Sequence, residues 1–484
     1  MFEKMLAKRA LYKAGYNPER IEETVETLLS PKDGILTLDK SFFKDAPKGI
    51  GKALAKILPS SSATELRISK RDWNYEPKTS MGTLTAGINA RLNFDTFGAR
   101  YALADVIDAL PKTSVTSLSI KSCEPDNDTY KAFARSLEKS KLKSLYMEDT
   151  DIANYMILDG MLKGICSSPI EKLSLPNNNL SFTALTGFAV AFSKGARIKE
   201  LDLSFNNIDH IALGQMAENL PPSVETLKLN DVALIDPRNV KNFAEGLVKS
   251  GHVKHLELRC TGLDNRTLPL LFPAFQNGVL QSVDLSGNSV DDKTALALAD
   301  ALSDKKCTVC ETKLGKTVEN RRNTVAGRLH NPVSESVLEK VYAAERANAD
   351  KQRAAVEREQ AFEAVRNAGD NAETLDPFTL AKAGQVDVLI KQPGFSPSDF
   401  KRCDEQGKAL IVHVAESGAL AAAFTAPVWK NPKEMQETWD LVPAEHKRQM
   451  DGQDGRPLFQ HVKNKVMADF VRNNLKGRSV SAGR

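Results

Sequence analysis

Aromatic residues supply only 6% of this 484-residue chain, while apolar residues overall stand at an ordinary 41%. Its core must therefore be filled by aliphatic side chains, as in leucine- and alanine-rich repeating units. Cysteine is equally sparse: the six at positions 123, 166, 260, 307, 310 and 403 are scattered, mostly inside apolar patterns. That distribution excludes a disulfide scaffold and fits reduced, core-packing cysteine in a non-oxidising compartment. Charge of one sign is lacking too. The net +4 is small for this length and both signs are mixed along the chain, so no dominating nucleic-acid or anionic-membrane footprint is expected. No apolar run approaches the roughly 18 residues of a membrane span. The amino-terminal MFEKMLAKRALYKAGY is charged throughout and has no apolar h-region, so no cleavable secretory signal is read. The expectation is a soluble, cytoplasmic protein, with export into a host cell by another route left open.

What the chain does have is a period of about 27 residues. An apolar L-x-L core recurs, clearest in IEKLSLPNNNL (170–180), IKELDLSFNNI (198–208) and LQSVDLSGNSV (280–290). Its leading positions are Leu36, Leu66, Leu92, Leu118, Leu145, Leu173, Leu201, Leu227, Leu256, Val283 and Cys310. This spacing argues for eleven units, the one at Leu92 being found by spacing alone. Each unit alternates a short strand with a helical stretch such as TALTGFAVAFSKG (183–195) or NVKNFAEGLVKSG (239–251). Stacked strand–helix units build an α/β solenoid, which grows without closing one core.

The motif resembles the leucine-rich repeat family, in its ribonuclease-inhibitor-like subtype with a full helix per unit. The resemblance implies a horseshoe with parallel strands on the concave face and helices on the convex face. It also implies a buried asparagine ladder in the turns after the strands, met by Asn178, Asn206 and Asn288. Elsewhere the ladder position holds Cys123, Thr150, Val232 and Thr261. Val232 cannot make the bond and Arg71 fits poorly, so the ladder should break at those units.

Flanking segments divide the chain further. Residues 1–33 read as a helical cap, with Met5, Leu6, Leu11, Ile21, Val25 and Leu28 at helical spacing and a break at Asn17-Pro18. The array occupies 34–313. A charged segment, 314–371, contains one long helical run over 334–368 that Ser334 or Ser336 caps and Gly369 ends. A solvated connecting helix is expected there, a coiled coil being the alternative. In 372–474, Asp404, Gly407, Ala415 and Gly418 keep the D-x-x-G…A-x-x-G spacing of ankyrin repeats. Ala381 and Gly384 repeat it 34 residues earlier, and DGQDGRPLFQHV (451–462) resembles a third start after an insertion around Trp429 to Pro443. The resemblance is to a degenerate ankyrin-like all-α array, with a plain helical bundle as the alternative. Residues 475–484 form a tail expected to be disordered.

Chemistry-bearing motifs are few. Cys307-x-x-Cys310 is half a zinc or redox motif, but Leu280 and Val283 occupy the same repeat phases, so core positions of a final strand are expected. Gly49-Ile50-Gly51-Lys52 lacks the spacing of a phosphate loop and falls where the first unit's helix starts. Seven histidines are dispersed without a metal or triad frame, His413 and His461 being read as packing or hydrogen-bonding residues, and Cys403-Asp404 offers only a faint ligase-like frame. No cofactor, metal or catalytic residue is assigned. Side chains between the core leucines alternate to the other face of the strands. From that face the candidate partner-binding residues are Tyr146, Glu148, Glu200, Asp202, Lys228, His255, Glu257, Arg259 and Asp284. The expected function is non-enzymatic protein recognition through that face, and such repeats without a secretory signal resemble bacterial effectors delivered into host cells. A GTPase-activating protein of the leucine-rich-repeat kind and a carboxy-terminal transferase or ubiquitin ligase are the alternatives.

Overall fold

The computed structural model describes residues 2–43, 46–47, 49–69, 97–123, 125–152, 155–180, 182–192, 195–208, 210–315 and 331–447. They divide between Ala349 and Asp350 into two compact units.

The first unit is an α/β solenoid of stacked strand–helix repeats. Its strands are β1 (Ile35–Leu38), β2 (Glu65–Ser69), β3 (Ser117–Lys121), β4 (Ser144–Glu148), β5 (Lys172–Ser174), β6 (Glu200–Asp202), β7 (Thr226–Lys228), β8 (His255–Glu257), β9 (Ser282–Asp284) and β10 (Glu311–Lys313). All pair in parallel and in chain order. Register joins like to like: Leu36 to Leu66, Leu145 to Leu173, Leu201 to Leu227, Leu256 to Val283. Parallel neighbours need a crossover between them, which the helices supply. Asn127–Ser136, Pro237–Ser250 and Asp292–Leu302 each start at an aspartate whose carboxylate accepts a first-turn backbone N–H. After β8 the crossover shrinks to a 3-10 turn, Leu268–Leu271, and the short helix Phe272–Phe275, with Pro269 and Pro273 at their starts. The core leucines of the strands are buried, each contributing about 2 kcal/mol in transfer terms.

Beyond each strand from β3 to β9, the turn places one residue in left-handed backbone: Ser122, Asp149, Asn177, Phe205, Asp231, Cys260 and Gly287, with φ between 51° and 70°. There the backbone N–H reaches the next unit, as from Asn177 to Ser204 O (3.2 Å), Phe205 to Asn230 O (2.7 Å) and Asp231 to Arg259 O (2.8 Å). The ladder residue follows. Asn178 Oδ1 accepts from Thr150 N (2.9 Å) and Thr150 Oγ1 (2.7 Å), while its Nδ2 donates to Met147 O (2.7 Å) and Pro176 O (3.0 Å). Asn206 Oδ1 accepts from Asn178 N (2.8 Å) and Leu180 N (3.2 Å), and Asn288 Oδ1 from Thr261 N (3.0 Å) and Leu263 N (3.1 Å). The ladder breaks at Val232 as expected; Leu234 N–H there turns to the Thr261 carbonyl (2.8 Å). Arg71 lies outside the described residues.

Four expectations need correction. Leu92 is outside the described residues, yet β2 pairs directly with β3, Leu66 opposite Leu118, so no strand of that unit stands between them. The last strand starts later than expected, because Thr312, not Cys310, is in register with Val283. Cys307 is buried, but Cys310 is only half-buried, and Val309 takes the place of Leu280. In the amino-terminal cap, Leu11, Ile21, Val25 and Leu28 are buried on helices Phe2–Ala14 and Ile21–Leu29, but Met5 and Leu6 are 57% and 46% exposed. The buried stripe of the first helix runs through Ala7 and Leu11 instead.

The fourth correction concerns helix Glu335–Ala368. Its first half is a carboxy-terminal cap of the array and not a solvated connector: Val337, Leu338, Val341 and Ala344 are buried in the array core. Asn348 Nδ2 donates to Leu302 O (2.9 Å) and Val309 O (2.8 Å), and Glu345 accepts from Thr312 N (2.8 Å) and Thr312 Oγ1. Burial pushes the Glu345 carboxyl up, against the pull of the Thr312 bonds. Asn331, just before this helix, extends the ladder by accepting from Val290 N (3.0 Å) and donating to Leu285 O (3.0 Å).

The second unit is helical. Helices Pro377–Lys382 and Val386–Leu389 are followed by Leu410–Glu416 and Leu420–Thr425, each pair turning at a left-handed glycine, Gly384 and Gly418. Between the pairs, a hairpin closes at Cys403 and Ala409 around Gly407. The segment read as an insertion is part of the packing. Helix Pro432–Asp440 buries Met435 and Trp439, and the Trp429 ring stacks on Phe400 and Phe424 at 5.5 Å. Residues 451–462 and the tail lie outside the described residues.

Candidate functional site

Strands β5 to β9 bury their middle residue and leave its neighbours at least partly exposed, and β4 buries Leu145 and Met147 between partly exposed neighbours, because successive side chains alternate faces. This puts Tyr146, Glu148, Glu200, Asp202, Lys228, His255, Glu257 and Asp284 on one face of the sheet. Arg259 follows β8 and is exposed beside it. Register makes Tyr146, Ser174, Asp202, Lys228, Glu257 and Asp284 one continuous row across strands.

The candidates are held to one another. Lys228 Nζ lies 2.8 Å from Glu200 and 3.3 Å from Glu257, and Lys172 lies 3.2 Å from the other side of Glu200. Asn230 Nδ2 donates to Glu257 (2.8 Å), and Ser174 Oγ to Asp202 (2.8 Å). Tyr146 Oη donates to Glu148 (2.6 Å), which also faces Lys121 at 3.2 Å. His255 Nδ1 meets Ser282 Oγ at 2.9 Å, and Arg259 reaches Asp284 at 3.9 Å. Burial pulls the Glu200 carboxyl upward, but Lys228 and Lys172 together outweigh it and leave it below the usual carboxylate range. Burial likewise pulls Lys228 down, and Glu200 and Glu257 together raise it above the usual lysine range. Such partly exposed pairs add little to stability, about 0–1 kcal/mol each. They fix rotamers.

A second row precedes the strands and was missed from the sequence. Glu171 accepts from Lys143 (3.1 Å) and Lys199 (2.9 Å), and Glu225 from Lys254 (2.8 Å). Its signal was readable, since the sign of charge at this repeat position alternates over five successive units.

Other motifs gather no chemistry. Gly51 lies against the next helix, where an added Cβ would stand 2.9 Å from Ala102 Cα, so it serves helix packing. His413 is buried, its Nε2 2.8 Å from Asp404 Oδ2 and its ring edge-on to Phe378, while Cys403 is exposed with Sγ 3.7 Å from Lys401 O. Burial lowers the His413 pKa more than Asp404 raises it. All six cysteines are free, and among the described residues no group of three or more His, Cys, Asp or Glu could hold a metal. No helix among them is long and apolar enough to cross a membrane.

No protein-family model matches the chain. The comparison with curated proteins returns no match either. Among solved structures, the chain is similar to the leucine-rich repeat-containing protein LegL7 from Legionella pneumophila, at 17% identity and a TM-score of 0.40, over 64% of this chain and 90% of that one. It is also similar to an internalin (inlF) from Listeria monocytogenes, at 9% identity and a TM-score of 0.30, over 69% and 92% of the two chains.

Proposed function

We propose that this protein is a non-enzymatic recognition module that binds a protein partner through the polar face of its parallel sheet. The observation that carries the reading is the row from Tyr146 to Asp284: a face without large aliphatic side chains, whose polar groups are held by cross-strand pairs above a buried leucine core. Side chains fixed in advance lose little freedom on binding, so modest contacts can add up to useful affinity. The ordered helical return between most strands supports a ribonuclease-inhibitor-like subtype. The helix pairs turning at Gly384 and Gly418 support a degenerate ankyrin-like array in the second unit.

The test uses the full chain and its variant with Glu200, Asp202 and Glu257 all changed to lysine, matched by circular dichroism and melting. Proteins crosslinked to the wild type and lost with the variant are the expected outcome. Equal capture of the same partner by both proteins would remove the sheet face from recognition.

A further inference from the structure

Large apolar side chains left in water are spread thinly over this chain, except on its first helix. Among the described residues eleven are exposed, and four of them, Phe2, Met5, Leu6 and Tyr12, sit on helix Phe2–Ala14. Phe2 and Tyr12, at 67% and 69%, are the most exposed of all, and the other seven are spread from Val190 to Leu441. Scattered single residues need no explanation, whereas apolar side chains gathered on one surface mark a contact.

Packing accounts for the opposite side of this helix only. Ala7 and Leu11 are buried, and Ala10 and Ala14 lean on the core. Lys4 and Lys8 pair with Glu26 and Glu22 on helix Ile21–Leu29. With about 3.6 residues per turn, Phe2, Met5, Leu6, Arg9, Tyr12 and Lys13 fall within one arc of roughly 120°. All six are exposed. Apolar residues fill the amino-terminal half of this arc, and the cations Arg9 and Lys13 bracket Tyr12 in the other half. Neither cation has an ion pair among the described residues.

The mixture of types on this arc selects the partner. A protein would meet cations at the centre of the face, whereas the centres of protein interfaces are depleted of charge. A second copy of the helix would set two unpaired cations against two more. A lipid surface accepts both kinds of residue at once. Apolar side chains enter the acyl boundary, while Arg and Lys lay their stems among them and carry their charged heads to phosphate. Tyrosine has the amphipathic ring that settles at headgroup depth.

We propose that helix Phe2–Ala14 docks this protein on a membrane surface rich in anionic phospholipid. Phe2, Met5 and Leu6 enter the apolar boundary, and Arg9 and Lys13 pair with the headgroups and set the preference for negative lipid. The net charge of the whole chain, +4, is too small to supply that preference, so it is local to this helix. The polar sheet face takes no part, and the two surfaces can be lost separately.

Flotation of the full chain tests this, with vesicles of phosphatidylcholine alone or with about 30% phosphatidylserine, at about 0.15 M salt. The protein floats with the anionic vesicles, much less with the neutral ones, and less again as salt rises to about 1 M. Phe2→Gln combined with Met5→Gln weakens binding roughly tenfold. Arg9→Gln combined with Lys13→Gln weakens it roughly tenfold and removes the preference for anionic lipid. Ile235→Gln, the same kind of change at an exposed residue elsewhere, leaves flotation unchanged. All variants keep the wild-type Tm within about 2 °C, since none of these side chains is packed. No flotation of the wild type, flotation that ignores lipid charge, or flotation unchanged in both double variants would overturn the proposal. A Tm fall of about 5 °C or more in Phe2→Gln with Met5→Gln would do the same, by making these packing residues. So would a wild type that ignores vesicles but forms a dimer, or crosslinks an acidic protein, in a way that either double variant abolishes; the face would then belong to a protein contact.

Discussion

The turns after β6 and β7 each place one residue in left-handed backbone, Phe205 and Asp231, over a pair of buried leucines, yet they close differently. After β6, Asn206 fills the ladder position and its Nδ2 donates to Leu175 O (2.9 Å), Leu203 O (2.9 Å) and Ser204 O (3.2 Å), while its Oδ1 accepts from the preceding unit. After β7, Val232 is fully buried, and backbone groups serve each other, Val232 N to Leu229 O (3.1 Å) and Leu234 N to Thr261 O (2.8 Å). A side-chain amide is therefore one of two solutions to a backbone-satisfaction problem. What the units from β3 to β9 share is the apolar pair beneath the turn and the left-handed residue above it.

The largest expected effect tests the shared part. Leu203→Asp and Leu229→Asp each bury an unpaired charge in the core and should cost about 4 kcal/mol or more, unfolding the local stack regardless of turn type. Urea melts followed by circular dichroism measure this. A loss below about 1 kcal/mol in either would mean that the leucine pair is not the common support.

Next comes the part that differs. Asn206→Ala strands several buried backbone groups and should cost about 3 kcal/mol, whereas Val232→Ala removes two methyl groups and should cost about 1–2 kcal/mol. Equal losses would erase the distinction between the two closures.

Much of this was legible from sequence because it rests on periodicity. The ten strands, the Asn178, Asn206 and Asn288 positions and the alternating face follow from a buried leucine recurring in phase. Reading failed where another residue type took a leucine's place. Thr312 holds the core position of β10 because Glu345, distant in sequence, satisfies its hydroxyl, so the period seemed to end at Cys310. Asn331 joins the ladder from outside the repeat, which no period could show. The capping half of the long helix was hidden by its charged outer face, although Val337, Leu338 and Val341 were visible as an apolar end. On the candidate face, alternation identified which side chains share a surface. It could not show that Glu200 is shared between Lys172, its register partner, and Lys228, which reaches it diagonally across strands.

A smaller effect sharpens the comparison in the other direction. Val232→Asn offers the missing amide to a turn whose backbone is already paired. It should change stability by less than about 1 kcal/mol, against the about 3 kcal/mol set by removing Asn206. A melt that drops by more than about 2 kcal/mol would show that the β7 turn has no room for the ladder and that the two turns differ in backbone, not only in side chain.

The smallest effect separates both turns from the face they support. Neither Asn206 nor Val232 titrates, so the stability differences of their variants should not change with pH. Glu200 does titrate. Its carboxyl lies below the usual range in the folded chain because Lys228 and Lys172 together outweigh the effect of burial. A depressed carboxyl contributes stability that is present above its unfolded pKa of about 4.3 and lost as pH falls through the lower folded value. Lys228, raised by Glu200 and Glu257 against burial, behaves oppositely. Its contribution is full below the unfolded pKa of about 10.4 and is lost as pH rises through the folded one. Both groups are partly exposed, so each contribution should stay near 0.5 kcal/mol, as is usual for screened pairs. Melting wild type and Glu200→Gln from pH 7 down to pH 3 should therefore bring two curves together at the acid end, with the wild type losing its small advantage. A gap that stays constant over that range would mean that Glu200 acts through packing alone, and that the cross-strand pairs of the candidate face are incidental to how it is held.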